Sequence, residues 1–161
     1  MDESGPAKAE SQETALAPLR QSLPASLMRA REAVMARVRP TLRDHDMTEP
    51  QWRVLRTLAG LDQIEITRLA EMVFLLPSSL SRILRDLGER GLVQRRTAET
   101  DLRRGLVSIS DKGRALIQAA LPSTMATNAE IERLYGADRM GRLLQLLVEL
   151  EDALGAPQAE E

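Results

Sequence analysis

The chain has 161 residues, a formal net charge of −2, no cysteine, and one each of Phe, Tyr, Trp and His. That excludes disulfide and thiolate chemistry, and it leaves Leu, Val, Ile, Met and Ala to build a core, which favours helices over sheets. No apolar run is long enough to span a bilayer, and the polar start MDESGPAKAESQET has no signal-peptide core, so a soluble, cytoplasmic chain with a single domain is expected.

In chain order, residues 1–19 read as a disordered tail, being rich in Ala, Glu, Gln, Ser and Pro without a sustained apolar period. A helix is expected from about Ser22, with Leu23, Leu27, Ala30, Val34 and Val38 at helical spacing and Pro40 kinking or ending it. A second helix begins at Thr48 as cap, with Glu49 and Pro50 in its first turn, Trp52, Val54, Leu55 and Leu58 on its apolar side, and Gly60 as its stop. Ile64–Ile66 is a very short strand candidate, and Thr67 is the expected cap of a short helix through Met72. After the turn at Phe74–Leu76, Pro77 opens a helix that Gly91 closes. Residues 92–96 and 104–110 read as two strands joined by a polar loop. From Ser110 and Asp111 a long helix should run, bent at Pro122, followed by a last helix from Asp138 to Leu154 and a short tail, 155–161.

Net charge conceals the layout. Residues 20–43 carry +5 and residues 66–115 carry +4, within an acidic frame. Arg supplies 20 of the 22 cations, and seven of them fall in PSSLSRILRDLGERGLVQRRTAETDLRRGLVSIS, residues 77–110. Arg can fork onto phosphate or onto a guanine edge, which Lys cannot. On the helix of this stretch Leu80, Ile83, Leu84 and Leu87 share one side, while Ser78, Arg82, Arg85 and Glu89 share the other. The order of short helix, tight turn, second helix and hairpin describes a helix-turn-helix with a β-hairpin wing. The fold class expected is therefore mainly α with a small β-hairpin wing. The DNA-facing candidates are Ser78, Ser79, Ser81, Arg82 and Arg85 on the helix, and Arg95, Arg96, Asp101, Arg103 and Arg104 on the wing. The competing reading is a winged-helix protein–protein module without DNA binding. A neutral or apolar recognition face would fit it, and the arginines argue against it.

The segments TEPQWRVLRTL, ITRLAEMVFLLPSSLSRILRDLGERGLVQRR and DLRRGLVSISDKG resemble the multiple antibiotic resistance regulator (MarR) family of winged-helix transcription factors. Leu75–Ser78 matches its Leu-x-Pro-Ser, Leu87–Val93 its Leu-x-x-x-Gly-Leu-Val, Asp101 and Arg103 its wing-tip Asp-x-Arg, and Ile109–Gly113 the motif that begins the next helix. The run AREAVMARVRPTLRDHDMTEPQWRVLR is most similar to the subgroup that regulates homoprotocatechuate degradation, and MVFLLPSS departs from the family by being more apolar before the proline. The resemblance covers about residues 22–154. It implies one MarR-type domain over 20–154, with a winged lobe at about 48–112 and dimerisation helices at about 20–45 and 110–154. It further implies a homodimeric regulator on double-stranded, inverted-repeat DNA.

The broad stripe of Leu143, Leu146, Leu147, Leu150 and Leu154 independently suits a dimer seam, with the chain's own core as the alternative. The resemblance also implies a small aromatic or phenolic effector, a carboxylate or thioester among the candidates. Met28, Arg31, Met35, His45 and Trp52 are its candidate contacts, although the apolar ones could equally be core. No cofactor and no enzymatic activity are expected. His45 between Asp44 and Asp46 lacks the partners for a transition-metal site, and no nucleophile–base spacing or phosphate loop is present.

Overall fold

The structure, a computed structural model, describes residues 22–97 and 105–155. It divides into two compact units, residues 1–38 and 39–161. The elements in order are α1 (Leu23–Arg43), α2 (Glu49–Ala59), β1 (Ile64–Glu65), α3 (Ile66–Met72), α4 (Pro77–Glu89), β2 (Val93–Thr97), β3 (Gly105–Ile109), α5 (Asp111–Tyr135) and α6 (Ala137–Leu154). The fold is mainly α with a small sheet, as expected.

In the first unit the described residues are the helical stretch up to Val38, and its Leu23, Leu27, Met28 and Val34 are exposed. In the second unit, every buried hydrophobic residue among those described lies between Leu42 and Ala120. Val54, Leu55 and Leu58 of α2, Leu69 of α3, Leu80, Leu84 and Leu87 of α4 and Val107 of β3 form the centre of this core. Each such side chain contributes about 1.5–3 kcal/mol by leaving water. Val107 and Ile109 are buried and Ser108 only half-buried, the alternation of a strand with one covered face.

Local chemistry sets the boundaries. Thr48 and Gln51 form a reciprocal capping box: the Thr48 hydroxyl accepts from the Gln51 N–H (3.4 Å), and Gln51 Oε1 accepts from the Thr48 N–H (2.8 Å). At the end of α4 the Leu92 N–H donates to the Leu87 carbonyl (2.8 Å) and the Gly91 N–H to the Gly88 carbonyl (2.9 Å). This paired closure needs a left-handed residue, and Gly91 supplies it at φ 72°. Ser110 caps α5, accepting from the Gly113 N–H (3.0 Å) and donating to the Gly91 carbonyl (2.7 Å). Gly113 is required there, because a Cβ would collide with the Leu92 carbonyl oxygen and the Ile109 side chain.

The start of α3 and the make-up of the wing differ from the sequence expectation, while Gly60 stops α2 as expected. Pro40 does not end α1, which continues to Arg43; the bond from the Asp44 N–H to the Pro40 carbonyl (3.1 Å) carries the last turn past it. α3 begins at Ile66 rather than after Thr67, with Glu65 at its cap position and no side-chain cap bond. The reason is tertiary: β1 pairs antiparallel with β3, Ile64 opposite Val107 and Glu65 opposite Leu106, so the helix starts where the pairing stops. The wing is consequently a three-stranded sheet, order β1-β3-β2, rather than a bare hairpin. Gly60 caps α2 at φ −91°, a conformation that does not demand glycine.

Candidate nucleic-acid interface

α4 is anchored from below and open above. Leu80, Leu84 and Leu87 are buried and Ile83 is half-buried. Ser78, Ser81, Arg82, Arg85 and Glu89 are exposed, and Ser79 is half-buried. One face of the helix is thus committed to the core, and the other presents two guanidinium groups and two hydroxyls to solvent. Arg95 and Arg96 on β2 are also exposed. They stand opposite Val107 and Leu106 in the hairpin register. Asp101, Arg103 and Arg104 lie outside the described residues.

Polar contacts that the sequence reading did not anticipate hold α4 in place. Gln51 Nε2 donates to Asp86 Oδ2 (2.6 Å), tying the start of α2 to the middle of α4, and Arg90 stands 3.8 Å from the same carboxylate. Arg53 Nη1 donates to the Val73 carbonyl (2.9 Å) at the end of α3. Its guanidinium also lies 3.5 Å from Glu49, which Arg39 approaches at 3.7 Å. Lys112 Nζ donates to the Arg90 carbonyl (2.8 Å) beyond the end of α4. The Thr-x-x-Gln spacing at 48–51 was a readable sign of the capping box. Nothing in the sequence pointed Gln51 at Asp86 or Arg53 at Val73.

The stripe on α6 is placed differently. No α6 residue is buried: Leu143, Leu146 and Leu154 are exposed, Leu147 and Leu150 half-buried, and Leu144 and Val148 are exposed as well. Among the described residues, then, no side chain of this helix is fully taken into the core.

The effector candidates are divided between the two units. Met28, Arg31 and Met35 belong to the first, where Arg31 pairs with Glu32 at 3.0 Å, Met28 is exposed and Met35 is half-buried. His45 and Trp52 belong to the second and are half-buried. His45 shares a cleft of about 480 Å³ with Asp46, Arg90, Leu92, Lys112 and Leu116, whereas Trp52 is not among its lining residues. Among the described residues there is no cluster of three potential metal ligands, and no helix long and apolar enough to cross a membrane.

Comparison with known proteins agrees with this geometry. The MarR family model matches residues 47–104, the stretch that carries α2 through β2. The homoprotocatechuate degradative operon repressor of Escherichia coli is 35% identical over 140 residues, which is 87% of this chain and 94% of that protein. The crystal structure of NadR in complex with 4-hydroxyphenylacetate is 33% identical, with a TM-score of 0.69 over 80% of this chain and 92% of that one. The repressor CouR bound to a 23-mer DNA duplex is 26% identical, with a TM-score of 0.75 over 84% of this chain and 96% of that one. The family consists of transcriptional regulators rather than enzymes. A family match over the winged lobe, and a relative alike over nearly the whole of both chains, lead to one conclusion: this chain belongs to the MarR family of winged-helix transcription regulators.

Proposed function

We propose that the protein is a repressor that binds an inverted-repeat operator as a homodimer and releases it when a small aromatic or phenolic compound binds. The observation that carries the DNA reading is the division of α4: its leucines are buried while Ser78, Ser81, Arg82 and Arg85 face solvent. Short hydroxyls and forked cations at the leading end of such a helix suit base edges and phosphates in a major groove. Arg95, Arg96 and the wing-tip Arg103 and Arg104 are assigned to the flanking backbone and minor groove, with Asp101, which would itself repel phosphate, holding an arginine in place. The DNA-bound state of CouR supports this reading. The exposed leucines of α6 form the proposed dimer seam.

The effector class rests on the names of relatives, one a repressor of homoprotocatechuate degradation and one crystallised with 4-hydroxyphenylacetate. An aromatic carboxylate bound beside Trp52 is the proposed inducer. It acts only if it binds the DNA-incompetent arrangement more tightly, since equal affinity for both shifts nothing. A regulator of this kind works in the cytoplasm, where the DNA is.

The test is a gel shift with the DNA upstream of the protein's own gene, repeated across salt concentrations. With about six phosphates neutralised, log K is expected to fall against log salt with a slope near −5. Trp52 is the sole tryptophan, so its emission reports on one place as hydroxyphenylacetates and hydroxycinnamates are titrated. The compound that changes the emission should loosen the DNA complex over the same concentration range. Affinity indifferent to salt and to operator sequence would refute the DNA reading and leave a protein-binding winged helix.

A further inference from the structure

The turn between α3 and α4 carries two side chains, Phe74 and Leu76, that neither its backbone nor the core requires. It closes α3 by the same paired motif that ends α4: the Leu75 N–H donates to the Ala70 carbonyl (3.0 Å), and the Phe74 N–H to the Glu71 carbonyl (3.1 Å). This geometry puts Phe74 in the left-handed region at φ 51°. The other two turns of this type use Gly91 and Asp46, residue types that tolerate it. A bulky side chain does not, and strain of this kind concentrates where function requires it. Burial does not explain the choice, because Phe74, the only phenylalanine, is 70% exposed.

Leu76 repeats the anomaly. It is the N-cap residue of α4 and makes no side-chain cap bond, while Thr48 and Ser110 cap α2 and α5. It is 71% exposed. Two apolar side chains therefore stand at the leading end of the helix whose exposed polar residues begin with Ser78, Ser81 and Arg82. Arg53 holds the turn from behind through the Val73 carbonyl.

We propose that Phe74 and Leu76 read thymine, by packing against C5-methyl groups in the major groove next to the bases reached from Ser78 and Arg82. The thymine methyl is the apolar feature that base edges present in that groove, and the N-terminal end of a recognition helix is the part that meets base edges. The patch is continuous with the DNA face of α4, so the proposal rests on the DNA reading given above.

The experiment selects a preferred duplex from a random-sequence pool and then synthesises it twice, once with thymine and once with deoxyuridine. Deoxyuridine keeps the hydrogen-bonding edge and lacks only the methyl. The wild type is expected to bind the thymine duplex more tightly, by about fourfold for each methyl it covers. Leu76→Ser is expected to lose most of this preference while melting no lower than wild type, because serine restores a cap. Phe74→Gly is expected to melt higher and bind the thymine duplex more weakly, because glycine accepts φ 51° without strain.

Equal wild-type affinity for the two duplexes overturns the proposal while leaving DNA binding intact. So does a preference that survives in both variants, or a change in oligomeric state in place of a change in methyl preference. Failure of the wild type to select any duplex overturns the DNA reading itself, and the proposal falls with it.

Discussion

α4 and α6 are both amphipathic, and the fold treats them in opposite ways. α4 sinks Leu80, Leu84 and Leu87 completely and shows serine and arginine outside. α6 carries more leucine than α4 and buries no residue. The two helices meet their apolar requirements differently. The apolar requirement of α4 is met within its own chain, so its outward face is free for a polar ligand. That of α6 is left unmet among the described residues, which is the observation behind the proposed dimer seam.

The contrast can be broken most forcefully from the α4 side. Leu84→Ala removes a fully buried side chain from the winged lobe and is expected to destabilise it by about 2–5 kcal/mol, seen as a lower melting temperature at any protein concentration. Leu147→Glu, on α6, is expected to act through assembly. It should weaken dimerisation by at least about 2 kcal/mol, shift light scattering from dimer to monomer, and make melting strongly dependent on concentration. If Leu147→Glu left a dimer unchanged, the α6 half of the contrast would fail.

Smaller changes sharpen the picture. Arg82→Ala or Arg85→Ala is expected to cost roughly 1–3 kcal/mol of discrimination at a single base pair, with the melting temperature unchanged, because both side chains are exposed. Thr48→Ala is the mildest. Loss of the capping box at the start of α2 is expected to lower stability by about 1 kcal/mol in denaturant titration. A null effect there would show that Gln51 holds α4 through Asp86 without help from the cap.

Particular residues show what could be read in advance. The α4 wheel was legible because one helix face packs against one core, so a period of 3.6 translates directly into burial. The α4 ends were legible because Pro77 and Gly91 act locally on the backbone. The start of α3 was misplaced because Thr67 is an ordinary cap residue, and only the pairing of Ile64 and Glu65 with a distant strand overrides it. Phe74 stood out only as an apolar departure in MVFLLPSS; its left-handed backbone and exposed ring belong to the folded turn. The expectations for Asp101, Arg103 and Arg104 concern residues outside those described.

Element order, the inward and outward faces of α4 and the clustering of arginine follow from the order of residues alone, because periodicity, caps and charge are properties of neighbours along the chain. The sequence also carried enough of the Leu-x-Pro-Ser and Gly-Leu-Val pattern to point to the family. The folded arrangement is what brings β1 to the hairpin, Gln51 to Asp86 and Arg53 to Val73, and what requires Gly113 to lack a Cβ where Leu92 passes. It alone showed that none of the α6 leucines is fully buried among the described residues. These are contacts between segments far apart in sequence, and their energies depend on distance in space, which a one-dimensional pattern does not contain.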